Sequence, residues 1–223
     1  VTGLCNIAAF YYQFAQIPVT DFSIHSISDL RGKALATLPR GNTTEVAARS
    51  ILSIFDLSYD DLGKINFASI TDQVNMMKDG QIDAFILTSS VPAGGVLDLS
   101  TSRPTRLLPI PDLAFRRLKE KNPGWSRAVI PAGTYTGQQD DVPTASFQMH
   151  MLASCTDVSD HLSYRIAAAL ASMASAMARR DLFLSSADRL ARRREAARAR
   201  LAKAVISSVK LMRRPCYRLA KPV

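Results

Sequence analysis

Two short polar runs carry the residue types that can do chemistry. The first is Arg40-Gly41-Asn42-Thr43-Thr44-Glu45, where the apolar stretch "ALATLP" ends and a helical pattern begins. The first N–H groups of a helix have no partner within it, and the helix dipole is positive there. A carboxylate or phosphate satisfies both conditions. Gly41 permits a tight turn, Asn42, Thr43 and Thr44 add side-chain donors, and Arg40 can clamp a carboxylate with two hydrogen bonds. The same residues also suit an ordinary helix cap, with Thr or Asn in the capping position. The second run is Thr88-Ser89-Ser90, three hydroxyls following "IDAFIL", which equally suits a plain polar strand end.

Neither run is a nucleotide motif. No Lys-Ser/Thr pair follows Gly41, so the loop is not a Walker A sequence, and its single glycine is not the dinucleotide fingerprint. No serine lies in a G-x-S-x-G elbow. No carboxylate pair is marked by its context. His25, His150 and His161 lack metal-ligand spacing. Cys5, Cys155 and Cys216 are odd in number and far apart, with no CxxC and no disulfide framework, so packing or surface roles are expected for all six. The expectation is a binding protein rather than an enzyme, with no catalytic residue, metal or cofactor.

The elements that would position the two runs alternate. "SISDLRGK" reads as a short helical turn capped by Ser26 or Ser28, and "ALATL" as a strand. Thr43 to Phe55 is a helix with Val46, Ala47, Ile51, Leu52 and Phe55 on its buried face. "KINFASI" is a strand, and "TDQVNMMKDG" a helix capped by Thr71 and ended by Gly80. "IDAFILTSS" is a strand apolar enough for the middle of a parallel sheet. A short helix, the strand "TRLLPI" and the helix "DLAFRRLKEKNPGW" follow. "RAVIPAGTY" and "TASFQMHMLAS" read as strands, and the long helix "SDHLSYRIAAALASMASAMA" is capped by Ser159 or Asp160. Strand–helix alternation between residues 34 and 110 predicts an α/β fold with a mainly parallel sheet. Ligands of such sheets sit beyond the carboxyl ends of the strands, where both polar runs fall.

Charge divides the chain. Its 223 residues carry a formal net charge of +9. Residues 1–178 hold 14 Lys/Arg against 16 Asp/Glu, and residues 179–223 hold 14 against 3. The body is nearly neutral and the tail strongly basic, which suggests an acidic partner for the tail. In the tail, Leu190, Ala197, Leu201, Val205 and Val209 can share one helical stripe among arginines. That is the pattern of a basic amphipathic helix that suits an anionic membrane or nucleic acid, and equally a helix docked on the body with a solvated basic face. Phe183 and Tyr217 are its only aromatics, which argues against base stacking and specific nucleic-acid binding. No run of 18 apolar residues suggests a membrane span. The opening "VTGLCNIAAFYYQF" has no basic start before its apolar part and does not read as a signal peptide.

Four stretches, in this order, carry a family resemblance: "SISDLRGKALATLPRGNTTEVAARSIL", "MKDGQIDAFILTSSVPAGGVLDLSTSRPTRLLPI", "IPAGTYTGQQDDVPTASF" and "VSDHLSYRIAAAL". Together they resemble the TAXI family of solute receptors of TRAP transporters over roughly residues 20–175. The third stretch is the most specific. The resemblance implies a type II periplasmic-binding-protein-like α/β fold with two lobes and a cleft. It implies a periplasmic or extracytoplasmic location and no covalent chemistry. The implied ligand is a small carboxylate, glutamate-like or a dicarboxylate, and the implied partner is the TRAP membrane permease. Arg40, Gly41, Asn42, Thr43, Thr44, Thr88 and Ser89 are the ligand-binding residues so expected. Thr43 stands where the family tends to have a second glycine. The family also has about a hundred residues of first lobe ahead of the matched segment, so the resemblance implies a chain truncated at its N-terminus. Residues 1–27 would be a remnant of that lobe leading into the hinge. Residues 28–142 would form the second lobe, 143–178 a return strand and helix, and 179–223 the basic helical tail. The alternative is an interaction protein that uses this tail to bind nucleic acid or anionic membrane. A third option, the effector-sensing domain of a regulator, lacks a helix-turn-helix in the chain.

Overall fold

The computed structural model describes residues 3–184, with the side chains described as far as residue 174. Most of the basic tail, residues 185–223, lies outside the described residues. The chain divides into two compact units: residues 12–147, and residues 1–11 together with the chain from 148 onward.

The unit of residues 12–147 is built on a mixed sheet. Its strands are β2 (Pro18–Val19), β3 (Ala34–Thr37), β4 (Lys64–Phe67), β5 (Ala84–Phe85) and β7 (Arg106–Leu107), in the order β4-β3-β5-β2-β7. β3 runs parallel to β4 and β5, and β2 is antiparallel to both β5 and β7. Pro18 and Val19 fall outside the expected strands, so the sheet is mixed rather than nearly all parallel. Consecutive residues of a strand point to opposite faces, and Leu35 and Ala36 accordingly enter two different apolar clusters. α1 (Thr43–Ser53) and α4 (Asp112–Lys121) supply Ala47, Ala48, Ile51, Leu52 and Leu118 to the first. α2 (Ile70–Lys78) and α3 (Gly94–Ser102) supply Val74, Met77, Val96 and Leu99 to the second. This is the α/β fold expected from the sequence, a sheet with helices packed on both faces.

Four local expectations are corrected. Val46 is 47% exposed, because α1 turns that position away from the sheet. Ser69, not Thr71, caps α2; its hydroxyl accepts the Asp72 N–H at 3.2 Å, so the helix begins inside the expected strand. "IDAFILTSS" breaks after Phe85: β6 (Leu87–Ser89) leaves the sheet to pair antiparallel with the end of β1 (Leu4–Gln16). "RAVIPAGTY" is a strand only as β8 (Ser126–Ile130), which pairs antiparallel with the first half of β9 (Val142–Ser154).

The other unit takes the first part of β1, the second part of β9 and α5 (Asp160–Leu184). Ser159 caps α5, accepting the Leu162 N–H on its hydroxyl and the Ser163 N–H on its carbonyl. Among the described residues its buried cluster is small: Ile7, Ala8 and Ala167, with Phe10, Met151, Ala153, Ile166 and Leu170 packed partly against them. A disulfide joins Cys5 to Cys155, 150 residues apart in sequence, with Cα atoms 5.2 Å apart. Two of the three cysteines are thus a staple rather than isolated packing residues. The fold brings the start of β1 against the turn after β9, where the Cys155 N–H also bonds Gly3 O at 2.7 Å.

Candidate functional site

The loop after β3 is shaped by its own polar atoms. Gly41 has φ +85°, a conformation that costs other residues strain. Asn42 is the cap of α1: its Oδ1 accepts the Thr44 N–H at 2.9 Å, and its carbonyl accepts Val46 N–H. Among the described residues the N–H groups of Thr43 and Glu45 have no protein acceptor. The helix start therefore carries two free donors, one on the exposed Thr43 and one on the buried Glu45.

Beneath it, Thr44 and Thr88 meet. Their hydroxyl oxygens are 2.6 Å apart, and both residues are buried. β3 and β5 run side by side in parallel, so the loops leaving their carboxyl ends share one edge of the sheet. Thr37, the last residue of β3, adds a buried hydroxyl with no protein partner among the described residues. Ser89 turns elsewhere: its Oγ accepts a bond from Gln16 Nε2 at 3.0 Å. Arg40 is exposed and lies over the ring of Phe67, its guanidinium carbon 5.0 Å from the ring centre. The fold thus joins Asn42, Thr44 and Thr88 and sends Ser89 and Arg40 to other contacts.

Glu45, expected only as the end of the polar run, is 2% exposed. Burial pushes its carboxyl up, but Arg49, the Tyr59 hydroxyl and the Gly41 N–H together hold it below its ordinary value. Arg49 Nε is 2.9 Å and Tyr59 Oη 3.1 Å from Glu45 Oε1. Burial, then the bond to Glu45, pushes the Tyr59 hydroxyl well above the ordinary tyrosine value. A buried carboxylate three residues beyond the cap is legible in sequence as an acid in the first helical turn; its burial depends on Tyr59, fourteen residues away, and is not. The Thr43 and Glu45 N–H groups and the hydroxyls are what the loop offers an incoming anion.

The arrangement offers hydrogen-bond donors to an anion. No nucleophile–base pair lies within it, and no group of three or more His, Cys, Asp or Glu side chains gathers around a common point among the described residues.

The profile of the NMT1-like family matches residues 1–192. Among solved structures, the chain is similar to the periplasmic aliphatic sulphonate binding protein SsuA from Escherichia coli. That match is 18% identical, covers 100% of this chain and 62% of that one, and has a TM-score of 0.48. An ABC transporter periplasmic binding protein from Brucella ovis with glutathione bound is 14% identical, over 66% of this chain and 37% of that one, with a TM-score of 0.36. The arginine-bound truncated ArgBP from T. maritima is 19% identical, over 70% and 54%, with a TM-score of 0.35. The chain spans less than two thirds of the length of each.

Proposed function

The chain belongs to the NMT1-like family, and on that premise we propose that it is a solute receptor of the TAXI type. It holds a small carboxylate, glutamate-like or a dicarboxylate, without chemically altering it and presents it to a TRAP-type membrane permease. One observation carries the reading: Thr44 and Thr88 meet at 2.6 Å at a helix start with two unoccupied N–H groups, those of the exposed Thr43 and the buried Glu45. A carboxylate accepting the Thr43 and Glu45 N–H groups would lie against the Thr44 side chain, with Arg40 one residue before Gly41 to draw it in. Asn42 and Gly41 set the loop, and Thr88 and Ser89 hold the neighbouring strand end. The Cys5–Cys155 disulfide supports a periplasmic or extracytoplasmic location, because disulfides persist in oxidising compartments.

The test is thermal stabilisation by millimolar L-glutamate and 2-oxoglutarate, with an alkyl sulphonate and arginine as competing classes. A binding ligand at a hundred times its Kd adds about 2.7 kcal/mol. Stabilisation by a carboxylate that the Arg40→Ala, Thr44→Ala double variant loses supports the reading. Stabilisation by the sulphonate or arginine alone replaces the ligand class.

The basic tail supports a second contact. With 14 Lys/Arg against 3 Asp/Glu, residues 179–223 would draw the receptor to anionic lipid. Salt-sensitive binding to phosphatidylserine vesicles, lost on deleting residues 185–223, checks it; binding to duplex DNA instead favours the nucleic-acid alternative.

A further inference from the structure

The loop between β8 and β9, "PAGTYTGQQDD", contributes no residue to the carboxylate edge, yet it is tied tightly. Gln138 closes it, its Nε2 donating to Pro131 O at 3.1 Å and Asp140 O at 3.0 Å. The Gly133 N–H donates to Gln138 O at 2.9 Å, and the Asp141 carboxylate accepts the Ala132 N–H at 2.8 Å. Gly133 and Gly137, at φ +73° and +80°, supply the turns. The product is one side chain aimed inward: Tyr135, 5% exposed.

The Tyr135 hydroxyl donates to Gln16 Oε1 and accepts the Ala93 N–H at 2.8 Å. Gln16, 1% exposed, passes the connection on, its Nε2 donating to Ser89 Oγ at 3.0 Å and Ser90 O at 3.4 Å. Both ends of the segment 89–93 are therefore clamped to the last residue of β1. Thr88 is the residue immediately before that segment. Its strand, β6, meets β1 over only three residue pairs, Phe14–Ser89, Ala15–Thr88 and Gln16–Leu87. A ladder this short holds weakly by itself. Burial pushes the Tyr135 phenol up to about 12, so the hydroxyl stays a donor across the working pH range.

We propose that Tyr135 and Gln16 are positioning residues whose buried hydrogen-bond strut holds Thr88 against Thr44 and so sets the geometry of the ligand edge. The consequence for binding rests on the carboxylate-receptor reading; the placement of Thr88 does not. Removing the Tyr135 hydroxyl leaves Gln16 Oε1 and the Ala93 N–H buried without a partner, and the segment 89–93 loses its upper tie.

The experiment uses the full chain with labelled threonine methyls, in Tyr135→Phe, Gln16→Met, the double variant and a core control, Ile110→Val. Ile110 is fully buried and belongs to the other apolar cluster from Tyr135. Without ligand, Tyr135→Phe shifts the Thr88 methyl resonance and speeds exchange of the Ala93 N–H about ten-fold or more, and Ile110→Val does neither. The double variant frees both ends of the segment, Ala93 through Tyr135 and Ser89 with Ser90 through Gln16, and moves the Thr88 methyl at least as far as either single one. If Tyr135→Phe does not fold, Gln16→Met carries the test through the Thr88 methyl, because it frees Ser89 and Ser90 while leaving the Tyr135–Ala93 bond in place. With L-glutamate as probe, the strut variants bind about ten-fold more weakly than Ile110→Val. A folded strut variant with an unmoved Thr88 methyl and unchanged Ala93 exchange overturns the proposal. A wild-type chain that ignores L-glutamate while Thr88 still shifts in Tyr135→Phe overturns the glutamate reading and leaves the strut standing.

Discussion

Residues 12–147 bury two apolar clusters, one on each face of a five-stranded sheet, whereas the unit made of β1's start, β9's end and α5 buries, among the described residues, one small cluster around Ile7, Ala8 and Ala167 and adds a disulfide. The difference follows from layer geometry. A sheet covered by helices on both faces excludes water from both sets of alternating side chains. Two strand ends and one helix cover a single face, and Leu152, Leu162, Tyr164 and Met173 stay exposed. Where apolar burial is that small, a covalent staple supplies what packing does not. Truncating the centre of the larger core is the strongest way to test the contrast. Phe85, on β5 in the middle of the sheet, is fully buried. Phe85→Ala should cost about 3–5 kcal/mol. The sole tryptophan, Trp125, packs edge-on against Phe147 within this unit, so its fluorescence in denaturant reads the loss. A cost under about 1 kcal/mol would mean that this core is not what holds the unit together.

The smaller unit should fail differently. Replacing Cys5 and Cys155 by Ser removes a link across 150 residues, worth about 2–4 kcal/mol for disulfides in general. The expected loss is local. Amide exchange should accelerate at residues 7–10 and 151–153, where the core is thin, while the Trp125 transition moves by less than about 0.5 kcal/mol. If the Trp125 transition moves as far as the exchange data, the two units unfold as one and the contrast collapses.

The same contrast decides what could be read ahead of the structure. In α1 most local signals and the tertiary outcome agree: Asn42 caps it, and Ala47, Ile51 and Leu52 face inward, since one face of the helix is buried and periodicity reports it. The crossing strands gave no such signal. In "LCNIAAFYYQFAQ", buried and exposed positions do not alternate, because β1 changes its surroundings along its length. β6 was hidden inside a run that looks like one strand until Leu87–Ser89 turn to meet β1. Of the site, the loop and its two strand ends were visible as polar runs. The Thr44–Thr88 contact needed the parallel order of β3 and β5. Tyr135 and Gln16 are 119 residues apart and meet only through the fold. The signal that could have singled out Tyr135 was a hydroxyl-bearing aromatic between two glycines, in the most specific stretch of the sequence.

The smallest effect concerns how the ligand loop is held, and it has a sign. Glu45 is buried at the start of α1, where Arg49, Tyr59 and the Gly41 N–H outweigh burial and hold its carboxyl below the ordinary 4.5. A carboxyl whose folded value is depressed stabilises the fold above its unfolded pKa and loses that stabilisation as pH falls through the folded one. The chain should therefore weaken below about pH 4.5 as Glu45 takes up its proton. Asp29, bonded to the His25 and Ser26 N–H groups, and Asp61, bonded to Ser58 and Arg31, are also held below their usual range and titrate in the same acid window. The raw pH curve is thus shared, and Glu45 is isolated only by difference. Glu45→Gln keeps the shape and an acceptor but not the charge, so it should cost about 1 kcal/mol at pH 7 and nothing below the folded value of Glu45. Arg49 is more than half exposed, which keeps its share of that cost small. Denaturant melts of both proteins at a series of pH values, followed by Trp125, should converge as the pH falls. Parallel curves would show that Glu45 holds the loop by shape alone, and that its carboxylate leaves the positive end of α1 free for a ligand's own.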